Sequence, residues 1–236
     1  MLLEAIRNGS DISTIIMCAL SCFVVIFLTL PIHEWAHGFV STRLGDPTPR
    51  YQGRLTLNPL AHIDVIGAIG ILLFGIGWAK PVQVNARYYK NPKVGMAIVA
   101  AAGPISNMIV ALIASFLSCL FLYIAAITGS LHWAAGGINV YILIADFFEF
   151  IAIINVNLAV FNLIPIPPFD GSRILFTFLP QKYYFKLMQY ERYIFIGLLL
   201  LLYTGVLDAP LQFATSAVYG LINNIAFLPF KFLLAL

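Results

Sequence analysis

The chain has 236 residues, of which 61% are hydrophobic and only 10% are charged. Its mean hydropathy is +0.93, whereas soluble domains are about 45–50% apolar and about 25% charged. This composition excludes an ordinary soluble domain and predicts an integral membrane protein with the lipid bilayer as its solvent. The length fits one domain, so we expect residues 1–236 to form a single integral membrane domain. We expect no nucleic-acid partner, because the Lys and Arg residues behind the net charge of +3 cluster in loops.

Long apolar runs predict an all-α polytopic membrane protein. Five of them are probable crossings: 12–42, 94–128, 138–163, 193–207 and 211–234. A sixth run, 65–79, has only 15 residues, four of them glycine. It is either a short crossing or a re-entrant hairpin buried in protein. The expected total is therefore five to six transmembrane helices.

The distribution of positive charge favours a re-entrant hairpin for the run 65–79. Lys and Arg residues flank it on both sides: Arg43, Arg50, Arg54, Lys80, Arg87, Lys90 and Lys93. Because Lys and Arg are enriched in cytosolic loops, both ends of the run are expected in the cytosol. Twelve of the thirteen Lys and Arg residues then lie inside, and only Arg7 lies outside. Because the chain is compact, we expect the protein to lie in a bacterial or archaeal cell membrane.

His33, Glu34 and His37 form an HExxH motif within the first apolar run, which is otherwise almost free of charge. An ionisable residue in hydrocarbon is costly enough to indicate a functional site. On a helix the two histidines lie one turn apart on one face, where they can bind a single zinc ion. Glu34 can then act as a general base at the open position of the metal. The alternative is a pair of histidines that only bond to neighbouring helices.

A catalytic zinc ion normally takes three protein ligands and a water molecule, so a third ligand is needed. The motif begins 21 residues after Ile12, about 31 Å along a helix, near the cytosolic boundary. Asp170 is the best candidate, because it follows the run 138–163 at its cytosolic end and at a similar depth. Three prolines just before it prevent an ordinary helix there. The alternative is a proline-rich span exit in which Asp170 only caps a helix before Gly171.

Three motifs in this order resemble the site-2 protease family of intramembrane zinc metalloproteases. The HExxH motif is followed by G-P-x-x-N and by N-x-x-P-x-x-P-x-D-G. The matching residues are His33, Glu34, His37, Gly103, Pro104, Asn107, Asn162, Pro165, Pro168, Asp170 and Gly171. The resemblance implies one zinc ion per chain, with Asp170 as its third ligand. It also implies cleavage of membrane protein substrates within or next to their transmembrane segments. The motif itself predicts Glu34 as the catalytic base, and the charge distribution predicts an active site towards the cytosol.

The chain resembles a compact form of that family. We expect the peptidase core at about 12–175 and two extra spans at 193–207 and 211–234. No stretch between the motifs is long or polar enough for a PDZ domain, and we expect no soluble regulatory domain after the last span. A helical substrate must unwind before it is cut, so we expect it to add to an edge strand at 51–56 or 82–86. This predicts a short β element at the cytosolic side.

Three further polar residues are candidates for substrate or transition-state binding. Asn107 and Asn162 are amides in apolar helices, where each needs a partner. They could bind the substrate backbone or the oxyanion, or simply bond a neighbouring helix. His62 precedes the run 65–79 and could donate to the scissile carbonyl oxygen or pair with Asp64.

A metal-binding membrane transporter or sensor without peptidase activity is the alternative function. Such proteins place ligands along a conduction path, often near the midplane and on several helices. This chain instead carries a glutamate inside its HExxH motif and gathers its candidate ligands at one face of the membrane, and it shows no internal repeat. A protease of the prenyl-protein processing type would need a later Glu ligand in place of the Asp-Gly pair.

Overall fold

The computed structural model describes residues 2–74, 77–129, 139–179 and 189–234. This part of the chain is mostly helical and contains no β-sheet. Four of its helical segments are long and apolar enough to cross a membrane: Ile12–Arg43, Pro92–Ile127, Val140–Asn162 and Asp208–Lys231. The prediction of a helical membrane protein with several spans is confirmed at this level.

The helices are numbered here in chain order. They are α1 (Leu2–Arg7), α2 (Ile12–Val24), a π-helix (Val25–Thr29), α3 (Leu30–Arg43), α4 (Thr48–Tyr51), α5 (Pro59–His62), α6 (Val65–Phe74), a 3-10 turn (Ala86–Tyr88), α7 (Pro92–Ile127), α8 (Val140–Asn162), α9 (Asp170–Leu175), α10 (Glu191–Tyr203) and α11 (Asp208–Leu234). The first span consists of α2, the π-helix and α3.

The helix α7 is the central element, because α3, α8, α9 and α11 all pack against it. Small buried residues at the α7–α8 contact, such as Ala114 and Ala152, let the two backbones approach closely, as membrane helices require. Polar contacts attach α11 to the same core. Tyr219 donates a hydrogen bond to Glu149 over 3.0 Å.

The first span is distorted just before the HExxH motif. Pro31 has no N–H group and cannot continue the regular hydrogen-bond ladder. Leu30 N–H instead donates to the carbonyl of Val25, five residues earlier, and the segment between them is a π-helix. Such segments are frequent at functional sites. The distortion changes the direction in which the side chains of α3 point relative to those of α2.

The run 65–79 begins and ends at the same place in the fold. Ile63 and Ala79 form an isolated antiparallel bridge, and Lys80 N–H donates to the carbonyl of His62 over 2.7 Å. A straight crossing would instead separate the two ends by the roughly 30 Å of the hydrocarbon core. Within the run, α6 has 10 residues, and residues 75–76 lie outside the described part of the chain.

Two finer features of the predicted fold are not confirmed. Apart from the bridge between Ile63 and Ala79, the described residues form no β pairing, and Thr48–Tyr51 is a short helix. The predicted run 193–207 corresponds to α10, which has 13 residues. A membrane-spanning helix needs about 20 residues, so α10 does not reach the length of a regular crossing.

Candidate active site

The three residues of the HExxH motif lie on one buried face of α3. His33, Glu34 and His37 are each less than 9% exposed. Because the two histidines are four positions apart, their rings meet one turn apart, and their Nε2 atoms are 3.1 Å apart. Two potential metal-ligating nitrogens therefore point at the same place.

Asp170 reaches these nitrogens from the start of α9. A Cβ atom at Gly171 would lie 2.1 Å from the carbonyl oxygen of Leu163, so only glycine allows α9 to begin against the end of α8. This close packing brings the Oδ2 atom of Asp170 to 3.5 Å from Nε2 of His33 and 3.3 Å from Nε2 of His37. Gly171 is therefore needed because a side chain would not fit there, whereas Asp170 is needed as a candidate metal ligand.

The donor set fits a zinc ion. In a tetrahedral site with zinc–ligand bonds of about 2.0–2.1 Å, the ligand atoms lie about 3.3 Å from one another. The separations of 3.1, 3.3 and 3.5 Å match this spacing. Burial alone would raise the pKa of Asp170, but with no metal bound the positive charge of His37 and the hydrogen bonds from both histidines outweigh burial and hold the pKa well below its ordinary value. A charged carboxylate, the form that binds metal, is therefore favoured at neutral pH.

Glu34 lies beside this cluster and is held by the backbone. The Val82 N–H group donates to its Oε2 atom over 2.7 Å. The contact joins α3 to the irregular segment that follows the run 65–79, and it fixes the orientation of the carboxylate. The other carboxylate oxygen, Oε1, accepts no hydrogen bond from the described residues and is the one available for chemistry.

A cavity of about 650 Å³ opens onto these residues. Its wall includes His33, Glu34, His37, Asn162, Pro168 and Asp170. It also includes residues of the segment after the run 65–79, among them Val82 and Gln83. The volume lies within the range of ligand-binding pockets, about 300–1,000 Å³, so the candidate ligands border a space large enough to hold water and a ligand.

The structure separates the three tentative binding residues. Asn162 lines the cavity, and its Nδ2 atom donates to the carbonyl of Leu158 over 2.9 Å. Asn107 does not line the cavity but contacts the ring of His33. His62 is fully buried elsewhere, with its Nε2 atom 2.8 Å from the carbonyl oxygen of Thr56.

A buried aspartate near the site was not anticipated from the sequence. Asp46 is fully buried and accepts hydrogen bonds from Ser41 Oγ, Thr48 N–H and Asn85 N–H, at 2.8, 2.9 and 2.7 Å. Burial alone would raise its pKa, but these hydrogen bonds outweigh burial and lower the pKa. Asp46 thus attaches the segment that carries Val82 to the end of α3. In the sequence it resembled an ordinary loop residue, and only its position before a proline marked it.

Comparison with known proteins agrees with this geometry. Residues 21–204 match the model of the family described as peptidase family M50. A protein of Bacillus subtilis named "Putative zinc metalloprotease YwhC" is 40% identical over 181 residues, which cover 77% of this chain and 79% of that protein. A protein of Mycolicibacterium smegmatis named "Putative zinc metalloprotease Rip2" is 27% identical over 186 residues, which cover 77% of this chain and 66% of that protein. The comparison with solved structures gave no match.

The family match covers well over half of the chain, and it confirms the predicted resemblance, the peptidase activity and the zinc cofactor. Apolar helices long enough to span a bilayer agree with an enzyme that works within the membrane. The chain belongs to peptidase family M50, the site-2 protease family, and is an intramembrane zinc metalloprotease.

Proposed function

We propose that His33, His37 and Asp170 hold the zinc ion and that Glu34 is the general base. The observation that carries this proposal is the close grouping of two imidazole nitrogens and one carboxylate oxygen, all within 4.8 Å of one another. Glu34 lies next to the group but is not part of it, as a base rather than a ligand should. A metal transporter or sensor without peptidase activity is not favoured, since the matching family and the named relatives are proteases.

The residues of the chain account for the proton transfers of peptide hydrolysis. When bound, zinc supplies Lewis-acid activation of a water molecule and of the carbonyl under attack. Glu34 accepts the proton of the attacking water on the carboxylate oxygen that Val82 leaves available. Glu34 then delivers this proton to the leaving amide nitrogen. Asn162 is proposed to bind the substrate backbone, because it lies on the wall of the cavity.

The active site is proposed to face the cytosol. Its residues lie in the second half of the first span and just after the carboxyl end of α8, and basic residues cluster in the segments that follow these two helices. The run 65–79 is proposed to be re-entrant, supported by the pairing of Ile63 with Ala79. Both of its flanks are then cytosolic, in agreement with the enrichment of Lys and Arg there.

The helix α10 is proposed as a fifth crossing within a single membrane peptidase domain. Its 13 residues span about 20 Å, so the residues that flank it must also lie in the membrane. With this crossing, α11 runs from outside to inside and places Lys231 at its cytosolic end. The named relatives come from bacteria, which supports a bacterial cell membrane as the location.

The substrates are proposed to be membrane proteins that present a transmembrane segment. The segment 82–86 is proposed as the edge that an unwound substrate pairs with, because Val82, Gln83 and Val84 line the cavity beside Glu34. Pairing of main chain with main chain would accept many sequences. The pockets on the cavity wall would then select side chains.

The experiment is cleavage of a single-span model substrate by the purified protein in detergent. We expect mass spectrometry of the products to place the cut within the span or a few residues from it. A zinc chelator should stop the reaction, and added zinc should restore it. Cleavage that a chelator leaves unchanged, or cuts confined to soluble loops far from the span, would contradict the proposed function.

A further inference from the structure

Three residues of α7 contact the two histidine rings of the HExxH motif. Val99, Gly103 and Asn107 follow one another at a spacing of four, so they lie along one face of the helix. The carbonyl oxygen of Val99 is 2.7 Å from Nδ1 of His37. The Oδ1 atom of Asn107 is 3.3 Å from Nδ1 of His33.

Gly103, between these two contacts, sets how close α7 comes to the rings. A Cβ atom at this position would lie 2.4 Å from Nε2 of His37 and 2.6 Å from Nε2 of His33. Both distances are far below van der Waals contact, so a larger residue would displace at least one ring. The absence of a side chain here lets the helix lie directly against both imidazoles.

The two Nδ1 contacts determine which ring nitrogen carries the proton. A carbonyl oxygen can only accept a hydrogen bond, so Nδ1 of His37 must be protonated to bond Val99. The amide oxygen of Asn107 imposes the same state on His33. In a neutral imidazole the other nitrogen then presents a lone pair. In both rings this is Nε2, the atom that faces Asp170.

Asn107 contacts His33 through its Oδ1 atom alone. Its side chain is fully buried, and its Nδ2 atom has no hydrogen-bond partner among the described residues. It does not line the cavity that reaches the candidate ligands. An amide with this placement contacts His33 and does not face the cavity.

We infer that Asn107 is a positioning residue that acts through His33, by fixing the ring and its proton so that Nε2 is ready to bind zinc. The inference rests on the proposed zinc site. It differs from a role in substrate binding, because it predicts a change in metal affinity. Partners of this kind typically change metal affinity by about 10- to 100-fold when they are removed.

The test compares zinc affinity in three variants of the full-length protein, measured by competition with a chelator. Asn107→Leu, which removes the acceptor, should bind zinc about 10- to 100-fold more weakly. Asn107→Asp, which keeps an oxygen at this place and loses only the unpartnered Nδ2, should stay within about threefold of the parent, since carboxylates are common partners of zinc-bound histidine. Asn155→Leu is the matched control. It removes an equally buried amide whose hydrogen bond goes to its own helix, at Ile151, and zinc affinity should not change.

A second measurement is the visible absorption spectrum of the cobalt-substituted protein, which reports ligand geometry. We expect it to change in Asn107→Leu and to remain as in the parent in Asn107→Asp. Parent-like zinc affinity and spectrum in Asn107→Leu, even with reduced cleavage, would overturn the inference. A loss of zinc affinity in Asn107→Asp as large as in Asn107→Leu would also overturn the inference. If the Leu variant folds poorly, the Asp variant still tests the inference against the parent. A parent protein that binds no zinc would overturn the proposed metal site itself, which distinguishes the two failures.

Discussion

At the scale of single residues, Glu34 is proposed to act in catalysis without binding the metal. Its carboxylate lies beside the ligand cluster and accepts a hydrogen bond from Val82 N–H. Gln has the same shape and can still accept that hydrogen bond, but it cannot take a proton from water. We therefore expect Glu34→Gln to keep zinc and the fold while cleavage falls by about 10²- to 10⁴-fold, the usual contribution of a general base.

The measurement is a single-turnover cleavage assay together with the zinc content of the same sample. If Glu34→Gln cleaved at the rate of the parent, the assignment of Glu34 as the base would be wrong. If the variant lost its zinc, Glu34 would belong among the ligands instead.

Gly103 tests the steric side of the site. Gly103→Ala places a methyl group 2.4 Å from Nε2 of His37, so a ring must move and zinc affinity should fall by at least about tenfold, the lower end of the range for disturbed ligand support. Gly220→Ala is the control, because a Cβ at that position of α11 meets nothing within 4 Å. Zinc affinity is measured by chelator competition. If Gly103→Ala bound zinc as tightly as Gly220→Ala, the rings of His33 and His37 would tolerate a wider separation from α7.

The sequence predicted the chemical roles of the motif residues better than the contacts that position them. HExxH and the Asp-Gly pair have fixed chemical requirements, so His33, Glu34 and Asp170 could be named from spacing and resemblance. Asn107 was recognised as part of a motif, but two roles were open. Which of them applies depends on the angle between α7 and α3, and no local pattern encodes that angle. His62 shows the same limit, because a histidine near the site in sequence bonds to Thr56 in the fold.

At the scale of elements, the segment 79–85 is held by two carboxylates. Glu34 accepts from Val82 N–H, and Asp46 accepts from Asn85 N–H at the same distance, 2.7 Å. The two bonds come from α3 and from the loop directly after it. The segment that forms the cavity wall is therefore positioned by the same helix that carries the motif.

Asp46→Asn should loosen this segment and lower the stability of the protein. The substitution leaves one oxygen where two had accepted hydrogen bonds, and an unsatisfied buried donor costs about 1–3 kcal/mol. The thermal midpoint in detergent should fall, whereas Asp208→Asn, at an exposed aspartate, should change it little. An unchanged midpoint in Asp46→Asn would show that the segment is held by other contacts.

The stabilising effect of Asp46 also has an expected pH dependence. Because the pKa of Asp46 in the folded protein lies below the ordinary value of 3.8, its contribution is complete above that value and is lost as the pH falls through the lower, folded pKa. Neutral and mildly acidic conditions should therefore leave this contact intact. The acid unfolding of the parent below about pH 4 should be less steep in Asp46→Asn.

The helices were predicted more accurately than the short elements between them. Long apolar runs give a strong signal, and the runs 94–128 and 138–163 differ from α7 and α8 by only a few residues. The β element was expected from how a substrate must bind, not from a strand pattern. The described residues have only the bridge between Ile63 and Ala79, a pairing that depends on the two ends of the run 65–79 lying side by side.

At the scale of the whole molecule, topology is the property that distinguishes the proposed arrangement from its alternatives. The three native cysteines are buried, so single cysteines can be introduced on the surface and labelled in intact cells. We expect Gln52→Cys and Lys90→Cys to react only with reagents that reach the cytosol, and Asp208→Cys to react from outside. Labelling of the first two positions from opposite sides would show that the run 65–79 crosses the membrane.

The central claim is that Asp170, 133 residues after His37, completes the zinc site with the two histidines. Its most direct test is the zinc content of the purified protein after a chelator challenge, compared between the parent and Asp170→Ala. The account predicts one zinc ion per chain in the parent and a near-complete loss in the variant, because the site loses one of three ligands and the only negative charge among them. Equal retention of one zinc ion per chain in Asp170→Ala would contradict the account.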